Sequence, residues 1–138
     1  MKKILMIAAL GTAAAAGSAH AQDAAKGERE FLKCRACHSI VSPSGETIQR
    51  GGKVGPNLYG VIGRKAGSEE DYNGYSDSMK QAGEAGLVWD EEHFATYVQD
   101  PTAFLKAYLD DPKARGKMTF KLNSGVEDVY AYLVSVAE

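Results

Sequence analysis

Cys34-Arg35-Ala36-Cys37-His38 is a C-x-x-C-H run, and its residue types and spacing specify a covalent chemistry. Two thiols three residues apart can add to the two vinyl groups on one edge of a porphyrin, and the next residue offers an imidazole to the iron. The run therefore reads as the attachment site of a c-type haem. At ~100° per helical residue, Cys34, Cys37 and His38 share one face with Cys34 in the middle, so all three can address one flat ligand.

Three other chemistries compete for these residues. A thioredoxin-like dithiol also uses C-x-x-C, but after a strand in a βαβ pattern, and the segment before Cys34 reads as helix. A structural zinc site takes about four Cys or His ligands, whereas this chain has two Cys and three His, of which His20 falls in an expected leader. A disulfide between Cys34 and Cys37 closes too small a loop to gain much entropically.

The chain must also reach a compartment and build elements that hold this run. Met1-Lys2-Lys3, the apolar stretch Ile4 to Leu10 and the small residues of Ala19-His20-Ala21 read as a secretory signal peptide over 1–21, cleaved after Ala21. The remaining segment, 22–138, is 117 residues long, the size of one domain. A retained membrane anchor is the competing reading, but the apolar part is shorter than the ~20 residues of a spanning helix. A soluble periplasmic protein is expected, with both thiols committed to the cofactor.

Without Lys2 and Lys3 the chain carries 14 basic and 18 acidic side chains, a balance of −4, which is not that of a general nucleic-acid binder. The charges are segregated: Lys33 to Lys65 holds six basic residues and one acid, whereas Glu69 to Glu92 holds eight acids and only Lys80. A second basic group comprises Lys106, Lys113, Arg115, Lys117 and Lys121. If the two basic groups flank one opening, they make a positive face.

Asp23 is placed to cap a helix from Ala24 to about Cys37, with Gly27 and Phe31 four apart on one face. Ser39 to Arg64, rich in Gly, Pro and Ser, reads as ordered loop wrapped on something other than a sheet. Ser76 begins a short helix through Met79 and Ala82. Asp90 caps another with Phe94, Tyr97 and Val98 as its stripe, and Asp100-Pro101 restarts the chain. Ser124 and Glu127 read as a capping box for a last helix with Val126, Val129, Tyr130, Leu133 and Ala137 at helical spacing. The fold class is therefore all-α with long loops, without internal repeats, and gains stability by enclosing the porphyrin.

Three residues compete for the second axial position on the iron. His93, in a first turn beside Asp90, Glu91 and Glu92, is expected to face solvent, and Met79 in its short helix reads as core. Met118, in Gly116-Lys117-Met118-Thr119-Phe120, follows a polar turn-like stretch from Asp110 to Arg115. Local sequence leaves it either as a core filler or as a thioether ligand on a loop that closes over the haem.

From about Ala24 to Val136 the chain resembles a class I cytochrome c, in particular the large-loop bacterial cytochromes c2 and c550. The shared marks are Gly27 and Phe31 before the C-x-x-C-H run, Gly55-Pro56-Asn57-Leu58-Tyr59-Gly60, Gly63-Arg64, Trp89, Tyr97, Pro101, Lys117-Met118-Thr119-Phe120 and Tyr130-Ala131-Tyr132-Leu133. The resemblance implies the class I fold, about five short helices and long loops around one covalent haem c, with His38 and Met118 as axial ligands. It also implies that the Pro56 carbonyl accepts the other ring N–H of His38, that Tyr97 lies near the methionine sulfur, and that Arg64, Tyr75 and Trp89 surround a haem propionate. Gly27 and Phe31 would cross the last helix near Val129 and Tyr132. Loops around Ser42 to Gly51 and Lys106 to Arg115 are longer than in mitochondrial relatives, and Met79 and Gly116 stand where those have polar residues.

The expected function is one-electron transport without enzymatic turnover, by a monomer that docks transiently at membrane complexes. The resemblance implies a cytochrome bc1 complex as donor and a photosynthetic reaction centre or cytochrome oxidase as acceptor. Lys33, Arg35, Lys53, Lys106, Lys113, Lys117 and Lys121 are expected to ring the exposed haem edge and steer docking. The alternatives are a haem enzyme such as a peroxidase, or a gas-binding protein, with an open axial position, and a thiol oxidoreductase using Cys34 and Cys37.

Overall fold

Asp23 caps the first helix as expected, its carboxylate accepting from the Ala25 and Lys26 N–H groups in a computed structural model that describes residues 22–138. The leader expected over 1–21 lies outside the described residues. Helix α1 spans Ala24–Glu30 and then tightens into a 3-10 turn, Phe31–Cys34, so regular helix stops seven residues short of Cys37. The expected single helix is corrected to a helix followed by a tighter turn, and it is the turn that carries the first thiol.

Helix α2 is Asp77–Glu84 behind the Ser76 cap, α3 is Glu91–Gln99 behind Asp90, and α4 is Pro101–Leu109 with Asp100 as cap and Pro101 at its first position. In each case the cap side chain accepts a main-chain N–H of the first turn, satisfying a donor the helix cannot. Asp110 closes α4 in the left-handed region at φ 49°, a conformation that Asp tolerates better than most residues.

Two expectations fail locally. The stretch after the haem motif contains a small antiparallel ladder, β1 Ile40–Val41 with β2 Thr47–Gln49, joined through Ser42-Pro43-Ser44-Gly45 with Gly45 at φ 88°. Strands this short leave no readable alternation. The last helix, α5 Val126–Ser135, has no capping box, because Gly125 at φ 71° is its N-cap and offers no side chain. The first-turn Asp128 carboxylate instead accepts the Asp23 main-chain N–H at 2.8 Å, fastening the start of α5 to the start of α1. The buried stripe of α5 is Val126, Val129, Tyr132 and Leu133, and Ala137 is exposed.

α1 and α5 make the most extensive helix contact of the described residues. Phe31 packs on the Tyr132 ring with centroids 5.7 Å apart, and the Tyr132 hydroxyl receives Gln49 Nε2 at 2.9 Å, tying β2 to the same junction. Gly27 lets the helices cross: a Cβ there would lie 2.5 Å from the Asp128 carbonyl carbon and 2.8 Å from Tyr132 Cβ. Backbone cannot yield as a side-chain tip does. Gly27→Ala is therefore expected to destabilise the protein by about 1–3 kcal/mol through overpacking, despite alanine's better helix propensity. The midpoint of a denaturant titration, at unchanged slope, measures it.

Candidate functional site

The C-x-x-C-H run winds around a single carbonyl. Cys37 and His38 N–H groups both donate to the Cys34 carbonyl, at 3.2 and 2.9 Å, which turns the two sulfurs and the imidazole toward one side. That side is a cavity of about 400 Å³ with mostly apolar walls, among them Phe31, Val61, Trp89, Phe94 and Leu133. Cys34, Cys37, His38 and Met118 all border it. The four residues singled out for covalent attachment and axial ligation, 84 positions apart at the extremes, thus meet at one space.

His38 is fixed from behind. Its Nδ1 donates to the Pro56 carbonyl at 2.8 Å, and that carbonyl can only accept, so the proton sits on Nδ1 and the Nε2 lone pair is left for the cavity side. Burial lowers the imidazole pKa; the Pro56 bond partly offsets this, and the Arg64 charge adds to it, so the ring is neutral near pH 7. Asn57 anchors the segment by accepting the Val41 N–H at 3.0 Å and donating to the Val41 carbonyl at 2.8 Å. Gly55 lies flat on the ring: a Cβ there would stand 2.6 Å from Nδ1 and 2.7 Å from Nε2.

Burial pushes the Cys34 thiol up to about 11, although Lys33 pulls it back somewhat. Such a sulfur is a thiol at neutral pH, which counts against a reactive dithiol, since the thiolate is the nucleophile in exchange.

The loop after α4 carries Met118 to the same cavity. It is pinned before the methionine by Arg115 N–H on Ser78 Oγ at 2.9 Å and Gly116 N–H on Thr102 Oγ1 at 3.3 Å, and after it by Leu122 N–H on the Val98 carbonyl at 2.8 Å. Tyr97 also lines the cavity, with its ring 4.7 Å from Trp89, and burial raises its phenol pKa so that the hydroxyl remains a donor. Met79 is core as expected, but it forms part of the cavity wall as well. His93 stays outside, its Nδ1 donating to the Val88 carbonyl at 3.1 Å and its ring lying edge-on to Tyr108.

Arg64, Tyr75 and Trp89 line the cavity together. Arg64 Nη1 meets Glu69 Oε2 at 2.7 Å and the Tyr59 carbonyl at 3.3 Å, while Nη2 donates to the Asn57 carbonyl at 3.1 Å. Sequence reasoning passed over Glu69 and Tyr72. Tyr72 borders the cavity, donates to the Val54 carbonyl at 2.5 Å and stands edge-on to Tyr75 with centroids 4.7 Å apart. The only signals were an acid five residues after Arg64 and a Tyr-x-x-Tyr spacing.

Of the seven expected docking cations, Lys33 and Lys117 line the cavity mouth, beside the exposed side chains of Val54 and Phe120. Lys33 pairs with Glu30 at 2.6 Å, and Lys121 with Asp100 at 2.8 Å, a contact that lowers the Asp100 pKa. Arg35 Nε donates to the Arg50 carbonyl at 2.6 Å. Lys53, Lys106, Lys113 and Lys117 have no ion pair among the described residues. Among those residues no helix is long and apolar enough to cross a membrane.

Paired thiols, a neutral imidazole and a thioether around an apolar space suit an iron porphyrin, because soft sulfur and imidazole donors match haem iron and flat walls match the ring. Arg64 and Tyr75 suit its carboxylates.

No protein-family model matches the chain. It is 53% identical to cytochrome c2 of Rhodobacter capsulatus, with the full length of both chains covered, and 58% identical to cytochrome c-551 of Roseobacter denitrificans over 83% of this chain and 81% of that one. Its fold matches the structure of Rhodobacter capsulatus cytochrome c2 with a TM-score of 0.81 and 57% identity, over 84% of this chain and 99% of that one.

Proposed function

This chain belongs to the cytochrome c2 family of class I cytochromes c, and from that premise we propose a periplasmic one-electron carrier whose haem c is held by Cys34 and Cys37 and ligated axially by His38 and Met118. The observation that carries the reading is the meeting of both thiols, the Pro56-oriented imidazole and the Met118 thioether at one apolar cavity. Haem c supplies an iron that alternates between ferric and ferrous by one electron.

The chain's own residues do the rest. Cys34 and Cys37 would hold one edge of the haem, each thiol adding across a vinyl group to give a thioether. His38, its tautomer fixed by Pro56, would offer Nε2 to the iron, and Met118 would offer a thioether that excludes small ligands and favours the reduced form. Phe31, Trp89, Phe94 and Leu133 would exclude water, and Arg64, Tyr75 and Trp89, which also line the cavity, would surround a propionate. The loop hydrogen bonds on either side of Met118 support a site that changes little between oxidation states, as fast electron exchange requires. Cleavage of 1–21 would release the domain into the periplasm as a monomer. A cytochrome bc1 complex is the proposed donor, and a photosynthetic reaction centre or cytochrome oxidase the proposed acceptor.

The test is to purify the naturally matured protein and follow its mass and visible spectrum through a redox titration. A mass equal to that of the bare polypeptide would end the reading. Tight, rapid carbon monoxide binding to the native reduced form would favour an open-site haem enzyme or gas binder instead.

Lys117, at the cavity mouth and without an ion pair among the described residues, is the cation best placed to steer an acidic partner. Lys117→Glu is expected to slow association by roughly tenfold at low ionic strength, with the gap closing as salt screens it. Stopped-flow rates across a salt series measure this, and an association rate indifferent to salt would count against the docking surface.

A further inference from the structure

We propose that Glu69 is a positioning residue that lowers the reduction potential of the haem site by holding Arg64 and cancelling part of its field. The inference rests on the haem reading above. Glu69 does not border the cavity, yet it is bonded to three residues that do. Its carboxylate takes Arg64 Nη1 at 2.7 Å, its main-chain N–H donates to the Tyr75 hydroxyl at 3.2 Å, and its carbonyl accepts the Tyr72 N–H at 3.3 Å.

The ion pair is well placed to act on the iron's charge. The Arg64 and Glu69 side chains keep only 16% and 20% of their exposure, so solvent and salt screen them poorly. A guanidinium has five N–H donors. Glu69 and the Tyr59 and Asn57 carbonyls engage both Nη1 and Nη2 of Arg64, fixing a guanidinium whose residue lines the cavity and still has donors to spare. Ferric iron carries one more positive charge than ferrous, so the Arg64 cation favours the ferrous form and the Glu69 carboxylate opposes it. Removing the carboxylate takes away one negative charge and leaves the cation unopposed, which favours ferrous iron.

The expected result is that Glu69→Gln raises the midpoint potential, shifting the ferrous-to-ferric ratio by about threefold or more. For a one-electron couple this is ~28 mV at 59 mV per tenfold. Glu70→Gln makes the same change of charge one residue away on an exposed side chain, and is expected to move the ratio by less than about 1.5-fold.

The sign separates the electrostatic role from a merely structural one. If Glu69 only braced the loop, its loss would admit water, which favours the more highly charged ferric iron and lowers the potential. An unchanged or lowered potential in a Glu69→Gln protein that keeps its haem spectrum would overturn the proposal, as would an equal shift in Glu70→Gln. Should the glutamine variant not accumulate, Glu69→Asp, whose shorter arm draws the carboxylate away from Arg64, decides by the same sign. A wild-type protein without added mass or a haem spectrum would instead defeat the underlying reading.

Discussion

Met118→Ala is expected to lower the midpoint potential by on the order of 0.1 V or more, within the ~0.8 V that axial ligation can span, and to let carbon monoxide bind the reduced protein. The thioether favours ferrous iron. Water or another weak donor in its place does not, and it yields to an incoming gas. The loop is held by its hydrogen bonds at Arg115, Gly116 and Leu122, so the substitution should empty a coordination position without dissolving the wall around it. A redox titration and a carbon monoxide difference spectrum read the two effects. An unchanged spectrum and potential would remove Met118 from the iron and turn attention to Met79, the other methionine bordering the cavity.

Replacing both attachment thiols, Cys34→Ala with Cys37→Ala, is expected to abolish cooperative folding. Haem is the largest object this small domain is built around. Without it the apolar walls around a space of about 400 Å³ lose their partner, a loss that a total stability of only ~5–15 kcal/mol for ordinary domains cannot easily absorb. The apolar walls would collapse inward and lose their fixed packing. Near-ultraviolet circular dichroism and a heat-unfolding scan check this. A sharp transition in the haem-free variant would show that the polypeptide's own packing, the α1–α5 junction foremost, suffices alone.

The sequence was most legible where chemistry is local. The C-x-x-C-H run and the caps Asp23, Ser76, Asp90 and Asp100 depend on neighbours within a turn; the structure places the four caps as expected, while the run leaves regular helix for a tighter turn. Helix existence followed from the same signals and from apolar spacing. The Ser124–Glu127 pattern failed because Gly125 adopts a left-handed backbone and Asp128 serves a helix 105 residues away, a partner no local pattern contains. The short ladder after Val41 was hidden because two or three residues per strand carry no period, although Ser-Pro-Ser-Gly signals a turn. In the site, His38 with Pro56 and the four residues at the cavity followed from motif and resemblance together. Glu69 and Tyr72 did not, since their roles arise only when the 64–75 segment curls back on itself.

The bond from Asp23 to Asp128 and the crossing at Gly27 also order events in time. Chains are made from the amino end, so the seven residues of α1 are polymerised well before the α5 residues that cover them, and a helix that short does not hold its form alone. Until α5 docks, Phe31 lacks its Tyr132 neighbour and the Asp23 N–H lacks the Asp128 carboxylate. The ten-residue α5 therefore works as a latch on α1, one that can be set only when both ends of the domain are present.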